Sequence, residues 1–156
     1  MELVEVGDAA PDFSAPNDKG GNSALKDYRG QNLILYFYPK DGTPGCTSEA
    51  NDFRDYLETF KTHNTSIVGV SRDSLKRHIN FSKKNQLNFP LISDEDGKIC
   101  ENYGVWQQKQ NYGRSYMGIV RSTFLINSEG SVAEVWQNVR VRGHIEAVIK
   151  AVKKLC

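Results

Sequence analysis

Hydrophobic and polar positions along this chain follow two periods in turn. Asn32-Leu-Ile-Leu-Tyr-Phe-Tyr38 is an almost unbroken apolar and aromatic run that stops at Pro39, the pattern of a central strand buried on both faces. Lys40-Asp-Gly-Thr-Pro-Gly-Cys46 then crowds turn formers together. From Thr47 the period becomes helical, with Ala50, Phe53, Leu57 and Phe60 at three- and four-residue steps on one face. Cys46 therefore falls where a strand end gives way to a helix N-terminus.

The remaining elements follow from the same signals. Val6 to Gly30 is broken by Pro11, Pro16, Gly20 and Gly21 and reads as a short hairpin with one helical turn near Ser23 to Tyr28. Downstream come a strand Ser66 to Ser71, a helix Ser74 to Gln86, a strand Phe89 to Ser93 and a helix Asp96 to Tyr103. Strands Ser122 to Asn127 and Ser131 to Gln137 flank a Ser128-Glu129-Gly130 hairpin turn. A last helix over His144 to Leu155 places Ile145, Val148, Ile149, Val152 and Leu155 on one face. Val105 to Ile119 has weak periodicity and reads as a long loop on the side of the Cys46 turn. The order predicts an α/β fold of the thioredoxin-like kind: a mixed, mostly parallel central sheet flanked by helices, with an N-terminal hairpin.

Composition narrows the class. A chain of 156 residues with 38% hydrophobic and 25% charged residues reads as one soluble domain spanning 1–156. No run approaches the ~20 apolar residues of a membrane span. Met1 to Gly7 carries acids and no basic residue, so it is not a secretory signal; a transit segment removed beforehand stays open. A net charge of +1 without a basic stripe calls for neither a nucleic acid nor an anionic membrane. The three histidines, His63, His78 and His144, lack metal-site spacing, and neither a metal nor a cofactor is expected. The three cysteines, Cys46, Cys100 and Cys156, are widely spaced with no C-x-x-C. That usage fits a reducing, cytoplasmic setting.

Cys46 carries the candidate chemistry. Only about 3% of a free thiol is ionised at neutral pH, and the thiolate is the nucleophile. A helix N-terminus offers unpaired N–H groups and the positive dipole end, and both stabilise an anion. Pro44 and Gly45 allow a sharp turn, Pro39 ends the strand, and Thr43 can bring a hydroxyl beside the sulfur. On these residues alone, a small buried thiol in a turn is an equal alternative.

Pro39-Lys-Asp-Gly-Thr43-Pro-Gly-Cys46 has the Pro-x-x-x-Thr-x-x-Cys pattern of the peroxiredoxins. With Thr-Ser-Glu49-Ala-Asn-Asp-Phe-Arg54-Asp it resembles their Q-type group, the bacterioferritin comigratory proteins. Gly7-Asp-Ala-Ala-Pro-Asp-Phe13, Tyr28-Arg-Gly and Tyr112-Gly-Arg-Ser-Tyr-Met-Gly-Ile-Val-Arg121-Ser-Thr-Phe-Leu-Ile126 extend the likeness over nearly the whole chain. The resemblance implies a thiol-dependent peroxidase of hydrogen peroxide and organic hydroperoxides, acting in antioxidant defence. Cys46 would be the peroxidatic nucleophile, Thr43 would bond the peroxide and Pro39 would shield the site from water. Arg121 would stabilise the thiolate and polarise the peroxide, with Glu49 orienting the arginine. Topology supports Arg121 separately, because in a thioredoxin-like sheet the strand starting at Ser122 runs antiparallel to the one ending at Pro39 and so begins beside Cys46.

The chain departs from the group where a resolving cysteine often stands, five residues after the nucleophile: that position is Asn51. The helix Ser74 to Gln86 holds none either. Cys156, at the far end of the last helix, would lie roughly 18 Å away, against the ~7 Å between Cα atoms that a disulfide tolerates. Cys100 would sit two strand spacings, about 10 Å, to the side; it reads as a packed core thiol more readily than as a resolver. The favoured cycle is one-cysteine, with an external thiol, thioredoxin or glutathione with glutaredoxin, reducing the sulfenic acid of a monomer. A thioredoxin-like oxidoreductase lacks its second cysteine here. A redox-sensing or holdase module would need Cys46 but not Thr43 and Arg121 together.

Overall fold

Proline and glycine punctuation before Gly30 leaves room only for short elements in this computed structural model, which describes residues 3–155. Strands β1 (Ser14–Pro16) and β2 (Asn22–Ala24) form an antiparallel hairpin, followed by a 3-10 turn over Leu25–Tyr28. Next come β3 (Asn32–Phe37), α1 (Pro44–Asp55), α2 (Leu57–Thr62), β4 (Thr65–Ser71), α3 (Leu75–Asn85), β5 (Leu91–Ser93) and α4 (Lys98–Asn102). The chain closes with β6 (Trp106–Asn111), β7 (Arg114–Ile119), β8 (Ser122–Ile126), β9 (Val132–Gln137) and α5 (His144–Leu155).

The central sheet has five strands in the order β5-β4-β3-β8-β9. β3 runs parallel to β4 and β4 to β5, while β8 and β9 are antiparallel additions. Every residue of β3 is buried, as expected of a strand covered on both sides. Its side chains alternate between two cores. Leu33, Leu35 and Phe37 pack with Val70, Cys100, Tyr103 and Phe124 on one face. Ile34, Tyr36 and Tyr38 pack with Cys46, Phe53, Phe60 and Val148 on the other. The period-two geometry of a strand thus separates the two described cysteines to opposite faces.

Three expectations change. Val105 to Ile119 is not a loop but the antiparallel β6–β7 hairpin, in register Trp106↔Ile119 through Asn111↔Arg114. Its polar residues hide the period because the ribbon stands off the core, with Gln108, Gln110 and Tyr116 exposed. The helix after β3 starts at Pro44 rather than Thr47, because proline is favoured at the first helical position. It also breaks at Tyr56, where the Asn88 side chain donates to the Arg54 carbonyl at 3.3 Å; such an insertion into the helical ladder kinks a helix. Leu155, placed on the apolar face of the last helix, is exposed where that helix runs past the sheet.

Gly69 in β4 faces the ring of Tyr36. A Cβ there would lie 2.7 Å from Leu91 Cδ2 and 3.0 Å from the Tyr36 Cζ and hydroxyl. Gly69→Ala is expected to destabilise the protein by about 1–3 kcal/mol through overpacking, read from urea unfolding. An unchanged midpoint would mean that the Tyr36 ring does not need this gap.

Candidate active site

The turn after β3 and the start of β8 meet at one end of the sheet. Phe37 pairs with Ser122 in the antiparallel β3–β8 ladder, so Arg121, one residue earlier, arrives beside the turn that leads to Cys46. Cys46 is the third residue of α1 and is buried. Arg121 Nη2 donates to Cys46 Sγ at 3.3 Å, and Nη1 donates to Glu49 Oε1 at 2.7 Å. Glu49 follows Cys46 by three residues, about one helical turn, and therefore faces the same way. Gly45 makes the approach possible, since a Cβ on it would meet Arg121 Nη2 at 3.1 Å.

The helix start is left open. Thr43 is the N-cap residue, yet its side chain makes no cap bond. Its hydroxyl donates instead to the Lys40 carbonyl at 2.8 Å. Pro44 has no N–H and the Thr47 N–H donates to the Thr43 carbonyl at 2.9 Å, so the Gly45 and Cys46 N–H groups are those left for another acceptor. Pro39 is exposed and forms part of the rim of an open cleft of about 490 Å³ lined also by Lys40, Arg72, Trp106, Lys109 and Met117. The Arg72 guanidinium lies 4.4 Å over the Trp106 ring.

Burial dominates the electrostatics. It pushes the Glu49 carboxyl up to about 7, against the pull of Arg121. Glu49 Oε2 and the Tyr36 hydroxyl are both buried and, among the described residues, unpartnered. Burial, reinforced by Arg121, pushes His144 down to about 4, so this ring is neutral at pH 7; it shares a 2.9 Å hydrogen bond with Thr123 Oγ1. Lys109 on β6 is lowered by burial and by Arg121, with Cys46 acting in the opposite sense. The hairpin therefore brings a second cation into the field of the thiol. Sequence reasoning missed Lys109 because its segment read as a loop, and missed His144 because an isolated histidine opening a helix carries no signal of its own.

Cys100 is elsewhere. It is fully buried in the opposite core, its N–H donates to Asp94 Oδ2 at 2.8 Å, and burial followed by Asp94 pushes its thiol far up. Asn51 accepts from Arg54 Nη1 at 3.2 Å, and the same nitrogen donates to the Asn85 carbonyl at 2.7 Å, tying α1 to the end of α3. Cys156 lies outside the described residues.

Residues 6–135 match the family described as AhpC/TSA. The chain is 45% identical over 152 residues to peroxiredoxin Bcp of Bacillus subtilis, covering 97% of each. It is 38% identical to peroxiredoxin Bcp of Escherichia coli, covering 99% of each. Among solved structures, it superposes with a TM-score of 0.89 and 43% identity on the Xanthomonas campestris bacterioferritin comigratory protein, covering 97% of both chains. The trapped intermediate and ligand complexes of that protein concern its alkyl peroxide reduction activity.

Glu49 gives a stability signature. Its pKa is raised on folding, so its contribution is full below 4.5 and is lost as pH rises through about 7. Glu49→Gln has no such titration. The stability of the natural protein relative to Glu49→Gln is therefore expected to fall across that window, by on the order of 3 kcal/mol. Denaturant midpoints for both proteins at a series of pH values measure it, and parallel curves would contradict it.

Proposed function

We infer that Cys46 is the peroxidatic nucleophile of this chain, which belongs to the AhpC/TSA family and is a thiol-dependent peroxidase of its Bcp/PrxQ group. The observation that carries the residue assignment is the guanidinium of Arg121, shared between Cys46 Sγ at 3.3 Å and Glu49 at 2.7 Å. A cation on the sulfur favours the thiolate. Glu49 fixes the guanidinium plane by taking one nitrogen, which leaves the other for the reacting atoms.

A hydroperoxide enters beside Pro39 and lies between the sulfur and the open start of α1. The thiolate attacks one oxygen in line with the O–O bond. An S–O bond forms, the O–O bond breaks, and the electron pair leaves on the distal oxygen, which takes a proton to become water or an alcohol. Arg121 and the first-turn N–H groups stabilise the charge developing on that oxygen more than they stabilise the ground state, which is where rate comes from. Thr43, whose hydroxyl hydrogen is committed to Lys40, offers its lone pairs to the peroxide O–H and orients it. Cys46 is left as a sulfenic acid.

Regeneration uses an outside thiol, thioredoxin or glutathione with glutaredoxin. Support comes from the sheet between Cys46 and Cys100 and from Asn51 at the frequent resolving position. The whole reaction belongs to one domain, in a monomer working in the cytoplasm. No described helix is long and apolar enough to cross a membrane. The exposed large apolar side chains are scattered, apart from Tyr112, Tyr116 and Met117 on the β6–β7 hairpin.

Cys46→Ser is expected to abolish peroxide consumption, while Cys100→Ser leaves the first oxidation step intact; steady-state peroxide assays decide it. Arg121→Ala should lower kcat/KM for peroxide by roughly 10²–10³, the scale of losing one oxyanion donor. It should also move Cys46 alkylation to higher pH, and an unchanged alkylation profile would remove the arginine from thiolate stabilisation. After stoichiometric peroxide without reductant, intact mass should show one added oxygen on Cys46 that persists until a thiol is supplied. With excess peroxide it should advance to sulfinic acid. A rapid Cys46–Cys100 disulfide in dilute protein would overturn the one-cysteine cycle.

A further inference from the structure

The turn that holds Pro39 and Thr43 has an anchor that the reaction itself does not use. Asp41, at its centre, is buried although its neighbours Lys40 and Gly42 are exposed. Its Oδ2 lies 2.6 Å from His78 Nδ1, and its Oδ1 accepts from the Tyr38 hydroxyl at 2.6 Å. His78, on α3, is fully buried, and its Nε2 lies 2.9 Å from the Ile92 carbonyl of β5. The Asp41 N–H donates to Asp73 Oδ2 at 2.8 Å, and that oxygen also accepts from Ser71 Oγ at 2.6 Å.

A carbonyl can only accept, so Nε2 carries a proton. The carboxylate oxygen opposite Nδ1 leaves a second proton between that pair. Asp41 raises the affinity of the imidazole for that proton, so below the raised titration of His78 the arrangement is a buried imidazolium–carboxylate pair. Asp41, Asp73 and His78 bring ligand-type atoms within 4.8 Å of one another, but all three already have protein partners, Asp73 through the Asp41 N–H, Ser71 and Arg77, which disfavours reading the cluster as a cation site. Removing such a pair from water is expensive, and an apolar pair of equal volume often stabilises as well. What the charges supply is placement: they attach the turn at one point, in one orientation, to α3 and β5.

The geometry points to His78 and Asp41 as positioning residues that set the peroxide-binding turn Pro39–Thr43 relative to Cys46. The inference rests on the assignment of the peroxide to that turn. Tyr38 extends the anchor, since its ring stacks on Tyr36 at 5.5 Å and Tyr36 on Phe53 of α1 at 4.6 Å. The groups facing His78 are Asp41 and Tyr38 from β3 and its turn, Asp73 from the β4–α3 connection and the Ile92 carbonyl from β5. Arg77 neutralises the outer oxygen of Asp73 at 3.3 Å. Burial opposes the charge on His78, but Asp41, the Ile92 carbonyl and Asp73 together leave its titration raised. The anchor is therefore complete on the acid side of that raised titration and is lost as pH rises through it.

Asparagine places an amide N–H near the Nδ1 position, and glutamine places one near Nε2. His78→Asn therefore keeps the bond to Asp41, and His78→Gln keeps only the bond to Ile92. The readout is kcat/KM for hydrogen peroxide divided by the rate of Cys46 alkylation, a ratio that cancels the thiolate fraction. His78→Gln should lower this ratio roughly tenfold or more and His78→Asn by no more than about threefold, because small misplacements of positioning groups cost rate steeply. The alkaline fall of the ratio in the natural protein should be absent in His78→Asn. Equal ratios in all three proteins, or equal losses in both variants, would overturn the inference. Should either variant fail to fold, ring ¹⁵N shifts of His78 in the natural protein, followed against pH, decide: both nitrogens protonated up to a titration above the ordinary histidine value supports the anchor, and a titration at or below that value refutes it. Thr43→Val, measured alongside, separates the two layers. Without effect, it removes the peroxide from this turn; with effect, beside inert His78 variants, it removes only the anchor.

Discussion

The register of one strand pair governs this molecule. Phe37 opposite Ser122 brings the end of β3 and the beginning of β8 to the same edge of the sheet, and everything reactive hangs from those two ends. One strand hands over to a turn and then to a helix start. The other begins with an arginine. A slip of one residue would turn each side chain of β8 to the opposite face and would move Arg121 out of reach of the sulfur. The register is secure because β8 is buried along its whole length, so a slip would also carry Phe124 out of its aromatic cluster with Phe37 and Tyr103.

Around that constraint the site handles charge in an uneven way. Arg121 is the common partner of a sulfur and a carboxylate, and Glu49 is so deeply buried that its proton is held until about 7. The positive side is reinforced from the hairpin by Lys109, while His144, which could have added a further charge, is kept neutral. The field at Cys46 is thus set by groups from α1, β6 and the loop before β8, with the neutral His144 of α5 packed nearby. Stable packing of the sheet is a precondition for that chemistry.

Much of this was legible in the chain. The run Asn32 to Tyr38 declares a doubly buried strand, the turn residues up to Cys46 declare a helix start, and the family resemblance, supported by the pairing of a thioredoxin-like sheet, points to Arg121 beside the thiol. Two kinds of feature were not legible. The β6–β7 hairpin is made largely of glutamines, lysine and exposed tyrosines, because only its base, at Trp106 and Ile119, packs on the core, too little buried surface to write a period into its sequence. The His78–Asp41 pair joins residues far apart in sequence, and neither has a neighbour that marks it. A buried polar contact of that kind leaves no periodic trace. The position of Cys100 was half legible: its helix could be placed alongside the sheet, but which face it covered depended on the connection after β5.

The alternation of β3 has a consequence for how the molecule ages. Cys46 lies on one side of the sheet and Cys100 on the other, so oxidative wear is confined to a single compartment. On the proposed assignment of Cys46 as nucleophile, over-oxidation would enlarge and charge the sulfur at the start of α1, beside the rim where helix and turn meet. The opposite layer, with its aromatic cluster and silent thiol, serves as a chassis that does not register how many peroxides have passed. On the proposed chemistry, a copy over-oxidised at Cys46 is therefore expected to keep the opposite layer packed.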